Sequence, residues 1–427
     1  MATLETLAAG NGSPLAPFLR ATLPNGVRVL LKPNPTLPAV TVQLWVATGA
    51  AHEDPSVGGI SHFFEHMYFR GSERFGPGVM DRLVKESGGY NNAATSLEYT
   101  FYYIVTQKES FRAALEVLAD SYLHPLLDPA AIDMERQVIK EEINRKEDTP
   151  SQKLITAFAE TIFHGTSYAR PVLGTNESLD RIDRERFLSY LAARYSAENL
   201  RVVIAGDIEP VEALAEVERQ LGGERGRLQD PAPLGQRTSD APRLTNLSKD
   251  VEQLYMVLGY LTQGRARRDH IEPLHLLSTA LGGGRSSLLY RRLREEKQLV
   301  LAISAWSWEL AAAGVVGVDA ILPPQNLPAT LEQIQTLLAE VRDHGLPEGE
   351  LERARTIAKS EFLFENETNA QMAETLAQYD VLFGDAAEAL EFLPRIERVT
   401  AAQVREVAAE YLDPERLAVA TLGPQGP

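Results

Sequence analysis

The apolar positions of this chain switch between a period of two and a period near four, and each switch predicts an element. Residues 21–33 (ATLPNGVRVLLKP) alternate from Val27 to Leu31 beyond a Pro24-Asn25-Gly26 turn, the pattern of a hairpin. Val40 to Thr48 predicts a strand that runs into a Gly-rich approach to a helix around His62. Met80 to Ser87 predicts a short helix stopped by Gly88-Gly89. Tyr90 to Thr95 and Tyr99 to Thr106 predict strands, the second rich in aromatic and β-branched residues. Phe111 to Leu123 is apolar at 114, 115, 118 and 122, the stripe of an amphipathic helix. Asp128-Pro129 opens a more charged helix that continues to about Lys146. Helical patterns at 151–163 and 183–195, a strand at 201–205 and a helix at 211–221 follow.

From Gly222 to Leu247 the periodicity stops, and Gly, Pro, Arg and Asp dominate, as in a linker. A similar order of elements then starts again. A strand at 254–259 precedes helices at 270–280 and 286–296, which flank a Gly-rich break. A strand at 300–308, helices at 325–343, 347–364, 369–382 and 400–411, and a last strand at 417–422 follow. This is a weak internal repeat. The expectation is an α+β chain of two structurally similar halves, each a mostly antiparallel sheet packed against helices. Residues 1–222 form the first, 223–247 the linker and 248–427 the second.

Length agrees, since 427 residues exceed what one core organises. Apolar content of 44% and charged content of 24% are those of a globular protein, and a net charge of −17 argues against nucleic acid and anionic membrane surfaces. No cysteine is present, which removes disulfides, thiolate ligands and thiol nucleophiles. Residues 1–20 lack the apolar core of a signal peptide, and the apolar run from Ala39 to Ala51 is too short for a membrane span. The chain is expected to be soluble and cytoplasmic.

Chemistry concentrates in Gly58-Gly59-Ile60-Ser61-His62-Phe63-Phe64-Glu65-His66-Met67. On a helix, His62 and His66 sit one turn apart on one face, and Glu65 points to nearly the same side. Two imidazoles and a neighbouring carboxylate are the components of a catalytic zinc site, with Glu65 as the base that takes and returns a proton. The glutamate precedes the second histidine, the inverted form of the zinc-protease signature. Two surface histidines on an ordinary helix would give the same string, but Ile60, Phe63, Phe64, Met67 and Phe69 make this helix buried, and a buried His/Glu cluster needs a partner. In the second half His270 and His275 are five apart with no glutamate in phase, and read as structural. Taken alone, the charged helix MERQVIKEEINRKED reads as a solvated surface with i,i+4 ion pairs.

His-x-x-Glu-His together with Glu135-Arg136-Gln137-Val138-Ile139-Lys140-Glu141-Glu142 resembles the pitrilysin/insulinase family of inverted zinc metallopeptidases, which includes the mitochondrial processing peptidases. The resemblance implies a zinc metalloendopeptidase with Zn2+ held by His62, His66 and Glu142, which follows His66 by 76 positions. It implies that Glu135 orients a histidine and that Glu141 is a plain surface residue. Val138, Ile139 and Ile143 would then interleave with the glutamates because the helix faces inward. Gly88 to Ser96 is similar to the family's substrate strand, so Asn92, Ala93, Ala94 and Thr95 are implied to bind a peptide substrate along a sheet edge. His164 to Thr175, Asn199 to Asp207 and Gly282 to Ser287 are also similar to family segments.

One departure bears on partners. The family's second half often carries an arginine and, seven residues on, a tyrosine that bind the substrate backbone. Arg294 stands at the arginine position, and Leu301 stands where the tyrosine would be. Leucine cannot donate to an oxyanion. The family's single-chain members enclose a peptide chamber with four such repeats, and this chain has two. The resemblance therefore implies a dimer, either of identical chains or with a related subunit that supplies an Arg/Tyr pair. The competing reading is a non-catalytic partner subunit of a related complex. Neither the peptide cleaved nor the bond preferred is readable from the residues.

Overall fold

The computed structural model describes residues 2–8, 12–36, 38–223, 228–229 and 243–424. Most of the expected linker lies outside the described residues, but its end does not: Leu244–Lys249 is a strand, so the linker reading is corrected there. The described chain falls into two compact units. Met1–Ile143, Arg170–Pro233 and Leu363–Glu391 make the first, and Asn144–Ala169, Leu234–Phe362 and Phe392–Pro427 the second. These differ from the consecutive halves expected. The helix Pro150–Ile162 belongs to the second unit and the helix Asn369–Phe383 to the first.

The first unit is a seven-stranded sheet of β1 (Glu5–Leu7), β2 (Phe18–Thr22), β3 (Arg28–Pro33), β4 (Ala39–Val46), β5 (Tyr90–Thr95), β6 (Thr100–Gln107) and β7 (Leu200–Gly206). Their order across the sheet is β1-β2-β3-β7-β4-β6-β5, antiparallel except for β3 beside β7. The β2–β3 hairpin forms around the Asn25-Gly26 turn, with Leu19 opposite Leu31. In β4, Val40, Val42, Leu44 and Val46 join the main core under the helix Phe111–Leu123, while Thr41, Gln43 and Trp45 are buried on the other face. A strand buried on both faces is a nearly unbroken apolar run, and this one is.

Helix Asn369–Phe383 covers that second face through polar contacts that specify its position. Gln43 receives the Trp45 indole N–H and donates to the Ala370 carbonyl at 2.9 Å. Asp380 is fully buried between Arg28 and Arg201, at 2.5 and 3.2 Å. Burial raises its carboxyl pKa and the two arginines oppose that rise.

The second unit repeats the arrangement with five strands, β8 (Leu244–Lys249), β9 (Leu254–Thr262), β10 (Ala302–Glu309), β11 (Gly314–Leu322) and β12 (Ala418–Pro424). Their order is β10-β11-β9-β12-β8, with β12 and β8 parallel. This matches β5-β6-β4-β7-β3 of the first sheet strand for strand. β11 was not expected from sequence, because the glycines of GVVGV obscure its alternation. One of them is required: a Cβ on Gly317 would lie 2.4 Å from the Trp306 ring that crosses it. The Gly-rich break has a similar cause, since a Cβ on Gly282 would stand 1.9 Å from the Ala305 amide. The helix expected at 286–296 is π-helical over Tyr290–Glu296. His270 is buried against the Tyr411 hydroxyl at 2.8 Å, as a structural histidine would be.

Two expectations follow. Replacing Asp380 with alanine leaves two arginines facing a buried void, and the loss of stability in urea unfolding should be about 3–5 kcal/mol. Glu309 has both carboxylate oxygens buried without a hydrogen-bond partner, and burial pushes it from 4.5 to about 7 despite the nearby Arg265 charge. Between those values the folded chain binds more protons than the unfolded one, so this group's contribution is full below 4.5 and is lost as pH rises through 7. Glu309→Gln should thus be more stable than the parent at pH 8, by up to about 3 kcal/mol, and equal to it at pH 4, read from unfolding midpoints.

Candidate metal centre

The helix Ile60–Tyr68 forms because its apolar residues recur on the face that meets the sheet: Ile60, Phe63, Phe64 and Met67 are buried. Phe63 meets the Phe187 ring and Phe64 the Tyr195 ring edge-on. That packing fixes the rotation of the helix and turns His62 and His66 to one side, with ring centroids 4.8 Å apart. Opposite them runs the helix Pro129–Asp148, started by Asp128, whose carboxylate accepts the Ala131 N–H. Ile132 and Ile139 are buried on its inner face. Val138 is not inward-facing as expected; it is 41% exposed, so the apolar stripe is narrower and the glutamates lie along its margin.

The structure brings His62, His66 and Glu142 together, with one ligand atom from each within 4.8 Å of the others. His62 Nε2 lies 3.7 Å and His66 Nε2 3.6 Å from Glu142 Oε2. Ligand atoms about 2.1 Å from a tetrahedral ion stand about 3.4 Å apart, so the two distances to Glu142 suit a shared zinc ion. Glu135, 1% exposed, meets His66 Nδ1 at 3.1 Å and pairs with Arg70 through its other oxygen. A carboxylate on Nδ1 holds the proton there and leaves Nε2 as the electron-pair donor facing Glu142, the tautomer a metal requires. Arg70, one turn beyond His66, escaped the sequence reading although its i,i+4 spacing was visible.

Charge explains the rest. Burial disfavours the His66 imidazolium, but hydrogen bonds and charge from Glu142 and Glu135 outweigh it and its pKa is raised. Burial also raises Glu65, with Glu142 adding to the rise and the Thr95 hydroxyl and His66 opposing it. The Thr95 hydroxyl donates to Glu65 Oε2. β5, which ends in Thr95, is the last strand of the sheet, and its residues alternate between half-buried and exposed. Asn92 and Ala94 lie on its exposed side and Ala93 against the core. Arg294 belongs to the second unit, in the π-helical stretch Tyr290–Glu296. Glu141 is exposed.

Comparison with known proteins agrees with this chemistry. Residues 28–176 match the insulinase (peptidase family M16) model, and residues 181–358 match the peptidase M16 inactive domain. The chain is 30% identical to the uncharacterized zinc protease YmxG of Bacillus subtilis, over 95% of its own length and 98% of the relative. Its fold is similar to the crystal structure of a protease from Helicobacter pylori, with a TM-score of 0.86 and 23% identity, covering 99% and 100% of the two chains. Against pitrilysin the TM-score is 0.83 at 19% identity, and all of this chain spans 47% of that one. The fold is that of M16 peptidase structures, and the relative matched along nearly its whole length is named a zinc protease. The chain belongs to the insulinase (peptidase M16) family.

If Glu135 sets the His66 tautomer, Glu135→Ala should weaken zinc binding by about 10- to 100-fold in chelator competition while the chain stays folded. An unchanged affinity would reduce Glu135 to a partner of Arg70.

Proposed function

We propose that this chain is a zinc-dependent endopeptidase acting on unfolded peptides, and the zinc-bearing subunit of a dimer. The observation that carries the reading is the convergence of His62, His66 and Glu142 beside Glu65, at the end of an open strand edge. His62, His66 and Glu142 would hold the ion. Zinc bound there supplies positive charge that acidifies a water and polarises a peptide carbonyl.

The chain's own residues do the remaining work. An extended peptide pairs with the free edge of β5, along Asn92, Ala93 and Ala94, and is thereby held beside Glu65. Glu65 removes the proton from the attacking water and delivers it to the leaving amine. Its burial, and the pKa rise that burial causes, suit it to keep the proton between the two transfers. Thr95 fixes the carboxylate at the strand end, so recognition and proton transfer share one residue.

The dimer rests on two supports. The chain spans about half of pitrilysin, and Leu301 replaces the tyrosine that the family pairs with the arginine at position 294. A related subunit that brings its own Arg/Tyr pair would complete the site. The same leucine, with the inactive-domain match of the second half, favours the alternative of a non-catalytic partner subunit.

Glu65→Gln separates the readings. The variant should keep one zinc per chain and hydrolyse an unfolded oligopeptide about 10²- to 10⁴-fold more slowly than the parent. Wild-type turnover by that variant would rule out Glu65 as the base. A parent chain that binds zinc but cleaves only after a related subunit is added would assign the heterodimer.

A further inference from the structure

The metal-binding helix begins without a side-chain cap of its own. Gly59 precedes it with a φ of +91°, and no side chain at that residue reaches the free amides of the first turn. Those amides are satisfied from a distance. Glu53 accepts the Gly59 N–H at 2.7 Å and the Ser61 N–H at 2.8 Å, and the residue is only 1% exposed. The two carboxyl oxygens of Glu53 thus answer two donors at the helix start.

The same start is gripped from the segment that follows residue 169. Arg170 donates to the Glu53 carbonyl at 2.6 Å, and the Ser178 hydroxyl to the Gly58 carbonyl at 2.6 Å. Backbone meets backbone between these ties. A Cβ on Gly59 would stand 2.6 Å from the Leu173 carbonyl oxygen, and one on Gly174 2.2 Å from that of Gly58. Glycine at both positions is what lets the two backbone segments of this clamp approach so closely. His62 follows Ser61 directly, so a shift at the clamp moves its imidazole relative to Glu142.

We propose that Glu53, braced by Arg170 and Ser178, is a positioning residue of the metal centre that fixes the start of the His62 helix against the 170–178 segment. The proposal deepens the zinc-centre reading and rests on it. Its reach is geometric: metal ligands have to be held within about 0.5 Å of their working positions.

The test is zinc affinity of the full chain by chelator competition, with folding checked by circular dichroism. Glu53→Ala should weaken zinc binding about tenfold, and Glu53→Gln, which keeps an acceptor, should recover to within about threefold. Leu214→Ala, a core change in the same unit, should lower the unfolding midpoint and leave zinc affinity unchanged. A folded Glu53→Ala chain with parental affinity overturns the proposal, as does an equal loss in Leu214→Ala. If Glu53→Ala does not fold, Ser178→Ala takes its place under the same two outcomes. Because affinity is read without turnover, a zinc-loaded parent that cleaves nothing even with a related subunit present would count against the peptidase reading and leave this one standing.

Discussion

Everything at this site follows from the cost of crowding carboxylates and imidazoles into a partly dehydrated space. Glu65, Glu135 and Glu142 crowd around His62 and His66, and burial opposes the charge on Glu65 and His66. Arg70 pairs with one oxygen of Glu135 and the Thr95 hydroxyl donates to one of Glu65, but Glu142 and the two Nε2 atoms face a common point. A divalent cation at that point satisfies all three at once. The aromatic packing of Phe63 and Phe64, the position of the glutamate helix and the start of the motif helix all hold that geometry in place.

The candidate site was largely legible in the sequence because its chemistry is local. His62, Glu65 and His66 fall within one helical turn, and the i,i+4 rule brings them to one face without knowledge of the fold. Glu142 was different. Nothing in a run of charged residues distinguishes a ligand from a solvated surface, and only resemblance to a family separated it from Glu141. Glu53 and Ser178 were invisible for a physical reason: Glu53 lies six and eight residues before the amides it accepts, outside the spacing of a local cap, and the bond from Ser178 to the Gly58 carbonyl joins residues 120 positions apart.

The strands and helices were mostly legible, but their assignment to units was not. The helices Pro150–Ile162 and Asn369–Phe383 each carry an apolar stripe that fits any apolar sheet face, because hydrophobic burial has no direction. What binds Asn369–Phe383 to the first sheet is polar: Asp380 with Arg28 and Arg201, and Gln43 with the Ala370 carbonyl. β11 escaped because glycine interrupts the alternation on which strand recognition depends, and glycine is there to admit the Trp306 ring. Among the described residues, the His62–His66–Glu142 cluster lies in the first unit and has no counterpart in the second, although the second sheet repeats the strand order.

Peptide hydrolysis by this chain is proposed to depend on a zinc ion held by His62, His66 and Glu142. The most direct measurement is hydrolysis of an unfolded oligopeptide by the purified chain, together with its related subunit if one is needed, before chelation, after it, and after one equivalent of zinc is returned. The account predicts activity that disappears with the metal and returns with it in proportion to zinc bound. Cleavage that persists in zinc-free protein, or a folded chain that takes up no zinc, would contradict it.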